Sequence, residues 1–504
     1  MLRNIGSNWV LIVLTIAATY FLTPFIIRTL GQDGYGTWTL ITAITGYMSL
    51  LALGVPMASV RYLAQDVAER NTEQMNRTIG TCIGLYLIIG GAALVVGAAL
   101  ALSLVVVFDI PAALHVQAFA AFSLMVIQVS AGFIGLLPEG IMYAHHDFVV
   151  RNLVRIAGVF LRLCLTIVAL TIAGSLIALA TVQLASLAFD FGACAFLIRR
   201  RYPGIRFSLA DFDRSVLRRI FSFSLYVLLL AAGARLTFES DALVIGALQG
   251  VESIPFYVIA NSLILYVMDF VVAIAAVVSP MATTLSTAGQ TDQLRDMFLR
   301  WSKVALSLTV MFALFLIVLG PKFIGVWIDP SYEGPSGRVL QILMISSLVF
   351  LPIRGVAIPI LMGIGKLKTP TIAFLMSGIA NVVLSVLLIG PFGLEGVALG
   401  TAIPNVGFAI AMWIVTCREL GVAPATYLRY VAGRVVIGAV PILVLLQWSE
   451  LLFDVRSLIG LVAAGSAMAL LFAVIWVVFV YRDDPYVDLK AHLRVPRALR
   501  WSRA

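Results

Sequence analysis

The amino-acid sequence predicts an all-α integral membrane protein of about fourteen transmembrane helices. Three observations predict it. Of 504 residues 61% are hydrophobic and only 12% charged, with a mean hydropathy of +1.04, where soluble chains carry about 25% charged residues. Apolar runs of about 20 residues, each long enough to cross about 30 Å of hydrocarbon as a helix, recur from end to end. The polar breaks between them are short, so no separate soluble domain is accommodated.

The runs lie near residues 9–29, 37–60, 79–107, 117–138, 149–172 and 175–198, which makes six helices in a first lobe, 1–198. An Arg-rich break, RRRYPGIRFSLADFDRSVLRR, forms a basic cytoplasmic linker over 199–219. Runs near 221–248, 254–282, 303–320, 338–362, 371–390 and 394–416 make a second lobe, 220–417. Two more, near 430–447 and 457–480, fall within 418–481 and precede a basic tail over 482–504. These runs are about twice the length of a membrane β-strand and lack its in/out alternation, which excludes a barrel.

Orientation follows from the basic residues, because cytoplasmic loops retain Lys and Arg. With the N-terminus inside, 27 of the 34 fall on the cytoplasmic side, among them Arg151, Arg155 and Lys303. Both termini are then cytoplasmic. The same bias accounts for the net charge of +9 without any nucleic-acid partner. The first run is too long for a signal-peptide core and is followed at once by a second span, so it is read as a retained helix. Cys82, Cys164, Cys194 and Cys417 stand singly in or beside apolar runs, with no metal or disulfide spacing, and read as packing residues.

An internal repeat appears at an offset of 219 residues: Gly31 aligns with Gly250, Asp33 with Glu252, Trp38 with Tyr257, Tyr47 with Tyr266 and Gly174 with Gly393. The offset spans six helices, an even number, so the copies run in the same direction. Two parallel six-helix lobes around a central cavity, with two extra C-terminal helices, are the architecture this predicts, and it is one that supports alternating access. Prolines inside the runs, such as Pro24, Pro138 and Pro352, free backbone carbonyls and bend helices.

Charged residues inside apolar runs are expensive, at least about 2.5–3.5 kcal/mol at the bilayer centre, and mark functional sites or buried pairs. Arg162, Arg235 and Asp269 lie at central depth; Asp190, Glu139 and Arg354 lie nearer the cytoplasm; Glu239 and Asp241 lie in the outer half. Arg235 and Glu239 are four apart and can pair on one helical face. Asp241 points elsewhere and needs another partner. Arg162 and Arg354 have no acid within one turn, which makes them candidates for an anionic ligand. Asp190, Glu239, Asp241 and Asp269 are candidates for charge pairing or ion coupling.

No catalytic constellation is found. GIGKLKT at Gly363–Thr369 lacks the first glycine of a phosphate loop and has Leu367 where Ser or Thr must hold magnesium. His145 and His146 are adjacent and cannot present both rings on one helical face. Neither an enzymatic activity nor a cofactor or metal is expected.

The segments LRNIGSNW, PFIIRTLGQDGYGTWTLITAITGYMSLLALGVPMASVRYLA at 24–64, SDALVIGALQGVESIPFYVIAN at 240–261 and GIGKLKTPTIAFLMSGIANVVLSVLLIGPFGLEGVALGTAI at 363–403 resemble polysaccharide flippases of the Wzx type, which serve O-antigen and exopolysaccharide synthesis. That superfamily also holds lipid II flippases and MATE exporters. The resemblance implies a bacterial inner-membrane flippase moving an undecaprenyl-diphosphate-linked oligosaccharide from the cytoplasmic to the periplasmic leaflet. It implies lipid-linked oligosaccharide and membrane lipids as partners, with polysaccharide polymerase and chain-length machinery alongside, and no nucleic acid. It further implies a cation-lined cavity, for which Arg28, Arg162, Arg235 and Arg354 are the counterparts here. Gly31, Gly34, Gly36 and Arg61 in these motifs read as structural. Guanidinium groups bind diphosphate oxygens in bidentate fashion, which makes the chemistry coherent. Two alternatives stand beside this reading: a MATE-like ion-coupled exporter of small molecules, and a polysaccharide polymerase or ligase, which would need a large extracytoplasmic loop.

Overall fold

A computed structural model describes residues 2–52 and 54–487, and every regular element among them is helical. Among the described residues eleven helices are long and apolar enough to cross a membrane. Two of these are unusually long: Val10–Ala52 and Lys368–Leu420, of 43 and 53 residues. At 1.5 Å per residue they would measure about 64 and 80 Å if straight, far beyond the about 30 Å of a bilayer core. Each is interrupted by a glycine off the helical path, Gly31 (φ 73°, ψ 178°) and Gly393 (φ 59°, ψ −137°). The all-helical membrane architecture is therefore confirmed, with eleven candidate spans in place of a confirmed count of fourteen.

The chain packs into two compact units, Met1–Val258 with Phe374–Val397, and Ile259–Ala373 with Ala398–Ala504. The first contains α1 (Leu2–Met48), α2 (Val55–Ala68), α3 (Thr72–Val107), α4 (His115–Ala144), α5 (Phe148–Ala173), α6 (Leu176–Arg201), α7 (Arg214–Phe238) and α8 (Ser240–Leu248). Their ends are set by local chemistry. Asn71 accepts a hydrogen bond from the Gln74 N–H at 2.9 Å to start α3, and Asp213 accepts from the Ser215 N–H at 2.7 Å to start α7. Arg199, Arg200 and Arg201 close α6, where cations complement the helix dipole. The expected span over 221–248 is present as α7 and α8, broken at Glu239 (φ −125°, ψ −8°).

α9 (Ile254–Val272) begins in the first unit. The second then holds α10 (Ala275–Thr287), α11 (Thr291–Val318), α12 (Gly320–Trp327), α13 (Glu333–Pro352) and α14 (Ile358–Gly363). α15 (Lys368–Leu420) contributes to both units, and the second is completed by α16 (Pro424–Val431), α17 (Gly433–Gln447), α18 (Ser449–Leu452) and α19 (Leu458–Ile475). α17 and α19 bury Val435, Ile442, Leu461 and Phe472 in one cluster with Val310 and Leu314 of α11. Outward positions are apolar too: Ile172, Val106 and Ile459 are 81%, 84% and 84% exposed. Such a surface suits lipid, where helices cover their own backbone polar groups and apolar side chains face the solvent.

The repeat has a local counterpart in the backbone. Gly31 and Gly250, aligned by the 219-residue offset, both combine a positive φ (73° and 86°) with an extended ψ (178° and 161°). Side-chain-bearing residues rarely adopt this conformation, so glycine at both positions follows from the turn itself.

Candidate functional site

α5 carries a stripe of Arg151, Arg155, Gly158 and Arg162, spaced so that all four lie along one helical face. Glu139 of α4 and Asp190 of α6 meet this stripe. Arg151 is 4% exposed and pairs with Glu139 at 3.1 Å and Asp190 at 3.7 Å; Arg155 reaches Glu139 at 3.7 Å. Asp190 lies over Gly158, where a Cβ would sit 3.4 Å from its Oδ1. The network is under-satisfied: Arg151 Nε and Nη1 and Asp190 Oδ1 are buried without hydrogen-bond partners among the described residues. Arg151 counted in sequence as one more basic residue of a cytoplasmic loop, but the structure encloses it.

Two turns beyond Arg155 along the stripe, Arg162 makes no ion pair or hydrogen bond among the described residues. Asp190 is its nearest electrostatic partner but stands beyond ion-pair distance. Arg162 instead faces a cavity of about 250 Å³ whose walls all belong to the first unit. Threonines dominate its polar lining. Thr19, Thr23, Thr39 and Thr42 each donate their hydroxyl proton to a carbonyl of their own helix at 2.8–2.9 Å. That bonding leaves hydroxyl lone pairs, which are acceptors, toward the cavity. Tyr35, Trp38 and Gln183 complete the polar and aromatic wall.

The other sequence candidates have different surroundings. Arg235 pairs with Glu239 on the same helical face, as their spacing predicted, and also donates to the Ser49 hydroxyl at 3.1 Å. Tyr47 donates to the Arg235 carbonyl at 2.9 Å, and the ion pair lies over Gly46, whose Cβ would come within 2.7 Å of Glu239 Oε2. Asp241, 2% exposed, accepts from the Tyr257 hydroxyl at 2.6 Å, the partner its position required. Arg28 is exposed on α1 and makes no ion pair among the described residues. Neither Arg28 nor Arg235 lines the Arg162 cavity. In the second unit, Arg354 lies in a π-helical turn, Ile353–Ala357, with its guanidinium 5.9 Å from the centre of the Phe350 ring. Asp269 is exposed on α9, with no ion pair among the described residues.

The second unit also holds a charge cluster that the sequence did not single out. Lys303 and Asp484, 2% and 1% exposed, pair at 2.6 Å. Lys303 donates as well to the Val480 carbonyl at 3.0 Å and sits 4.7 and 5.1 Å from the ring centres of Tyr430 and Tyr481. Tyr430 donates to Asp484 at 2.8 Å, and the Tyr486 and Val487 N–H groups donate at 3.0 and 3.1 Å. Burial opposes ionisation of Asp484, but the hydrogen bonds from Lys303, Tyr430 and the backbone outweigh it and hold the carboxyl below its ordinary value. Lys303 and Asp484 are 181 residues apart, so no local pattern marks them as partners.

Comparison with known proteins places the chain in a family. Residues 25–333 match the family described as polysaccharide biosynthesis protein, well over half of the chain. The chain belongs to that family. A relative, the uncharacterized membrane protein EpsK of Bacillus subtilis (strain 168), is 24% identical over 414 residues, 79% of each chain. The fold is similar to that of the lipid II flippase MurJ in an inward closed conformation, with a TM-score of 0.70 at 14% identity over 96% of this chain and 99% of that one. It is similar also to an inward-facing multidrug resistance MATE family transporter of the MOP superfamily, with a TM-score of 0.70 at 17% identity over 81% of this chain and 98% of that one. The polysaccharide biosynthesis family is thus represented here by a multi-pass membrane protein with the fold of MOP-superfamily transporters.

Proposed function

We propose that this protein is a non-catalytic flippase that carries an undecaprenyl-diphosphate-linked oligosaccharide from the cytoplasmic to the periplasmic leaflet of a bacterial inner membrane by alternating access. The observation that carries this reading is coverage. The likeness to the lipid II flippase runs over 96% of the chain, whereas the likeness to the MATE transporter runs over 81% although it takes in 98% of that transporter. The family match to polysaccharide biosynthesis over residues 25–333 supports a lipid-linked saccharide cargo over a small soluble one.

A guanidinium with no carboxylate of the described residues in ion-pair range, Arg162, supplies the anion-binding group that a diphosphate-bearing headgroup requires. Arg28 and Arg354 are proposed as further headgroup contacts, and Asp190 and Asp269 as charge-coupling residues. The cytoplasmic orientation of both termini rests on the 27 of 34 basic residues assigned to that side. A polysaccharide polymerase and its chain-length machinery are the proposed downstream partners.

The test is a leaflet-resolved assay in cells depleted of this protein. Lipid-linked oligosaccharide is expected to stay accessible only from the cytoplasmic side and to return to periplasmic reagents on re-expression. Periplasmic accessibility unchanged by depletion would overturn the reading.

A further inference from the structure

We infer that the Arg162 cavity is a recognition site for one sugar ring bearing an acid group, a uronate or a sugar phosphate. The inference deepens the proposed function and rests on it for the identity of the cargo. It is carried by the division of hydrogen-bonding roles around the cavity. The protons of Thr19, Thr23, Thr39 and Thr42 are committed to helix carbonyls, so that wall offers acceptors to a ligand. Such a wall is complemented by a polyol, whose hydroxyls donate.

The opposite requirement comes from Arg162, which offers donors and positive charge only. Asp190 acts on it electrostatically from beyond ion-pair distance, so among the described residues no carboxylate occupies the guanidinium, which is open to an external oxyanion. A neutral sugar would satisfy the threonines and accept from the guanidinium but leave its charge without a counter-charge. A bare inorganic anion would satisfy the guanidinium and leave the threonine acceptors without donors. An acidic sugar satisfies both.

Size and shape point the same way. About 250 Å³ is below the about 300–1,000 Å³ of pockets that enclose drug-sized ligands. It suits one ring and not an oligosaccharide. Trp38 and Tyr35 in the wall supply apolar faces against which the C–H face of a sugar ring can lie. Specificity arises because a site built from buried polar groups rejects analogues that leave them unpaired.

The experiment uses the purified full chain in detergent, with saturation-transfer NMR and thermal stabilisation as readouts and four probes: glucuronate, glucose 1-phosphate, glucose and inorganic phosphate. One of the two acidic sugars is expected to bind at least about tenfold more tightly than glucose or phosphate, and which one binds decides between carboxylate and phosphate as the acid. Arg162→Ala is expected to weaken that binding by about 10- to 100-fold, the loss of a charge-assisted contact. Thr42→Val, which removes an acceptor at nearly constant shape, is expected to weaken it without changing the thermal stability of the unliganded protein. The inference is overturned if neither acidic sugar binds, if phosphate alone binds as well as the acidic sugars, or if Arg162→Ala binds them unchanged. Any of these results with leaflet transfer intact would leave the flippase reading standing. Loss of that reading, with acidic-sugar binding retained, would leave the site standing and reassign its cargo.

Discussion

Lys303 in the second unit is enclosed by a carboxylate, a backbone carbonyl and two tyrosine rings, whereas Arg162 in the first faces a cavity of hydroxyls with no carboxylate of the described residues in ion-pair range. Both are cations on long apolar helices, and sequence position alone makes them equivalent. Their surroundings separate them. Around Lys303 the protein answers the charge completely, and such a cluster holds elements together. At Arg162 the answer is withheld, and a cation kept open to a cavity is available to something from outside. The Arg151 network lies between these extremes, because its two acids are engaged while Arg151 Nε and Nη1 remain without hydrogen bonds.

Breaking the closed cluster should produce the largest effect. Asp484→Ala strands a buried ammonium and is expected to cost about 3–5 kcal/mol in reversible unfolding, with most of the loss restored in the double variant Lys303→Met, Asp484→Leu. A single variant as stable as the parent would refute the structural role. Arg162→Ala should show the reverse pattern. Export of surface polysaccharide is expected to fall by about tenfold or more, while unfolding stability stays within about 0.5 kcal/mol, as at a site with no partner to strand. Arg162→Lys should retain part of the export, since the point charge survives without the bidentate fork.

The pair Arg235–Glu239 is half-exposed, and Arg235→Ala is expected to cost no more than about 1 kcal/mol of stability. Finally, acid should erase the distinction between parent and Asp484→Asn. The folded-state carboxyl of Asp484 titrates below its ordinary value, so its contribution is present above the unfolded pKa of about 3.9 and is lost as pH falls through the folded value. The gap between the melting curves of the two proteins should therefore start to narrow as pH falls below about 3.9 and close only once pH is below the still lower folded-state value. A gap that persists there would show that Asp484 acts through something other than its charge.

The fold was legible because a bilayer imposes one dominant rule, about 20 apolar residues per crossing, and the chain obeys it from Val10 to Val480. Of the aligned glycines, Gly31 and Gly250 share a backbone conformation, whereas Gly174 (φ 49°, ψ 41°) and Gly393 (φ 59°, ψ −137°) do not. Arg162 and Asp190 stood out as charges in apolar text, and spacing alone paired Arg235 with Glu239. The cavity wall did not stand out, although Thr15, Thr19 and Thr23 at four-residue intervals trace one face of α1. Threonine is common in membrane helices, where its hydroxyl bonds the preceding turn, so such a stripe carries little signal until the facing helices are known. Lys303 and Arg151 were counted as topology determinants because both stand near the ends of apolar runs. Their burial depends on Asp484 and Glu139, which sequence proximity cannot supply.

The separation between Lys303 and Asp484 also sets an order of events during synthesis. At roughly 5–20 residues per second, the ribosome needs about 9–36 s to make the 181 residues between the lysine and its carboxylate. Throughout that interval α11 exists with its ammonium unmatched by the carboxylate that encloses it in the folded protein. Nascent chains released before Asp484 would carry the same unmatched lysine permanently, which gives membrane quality control a physical mark of incompleteness on a helix made long before the end of the chain.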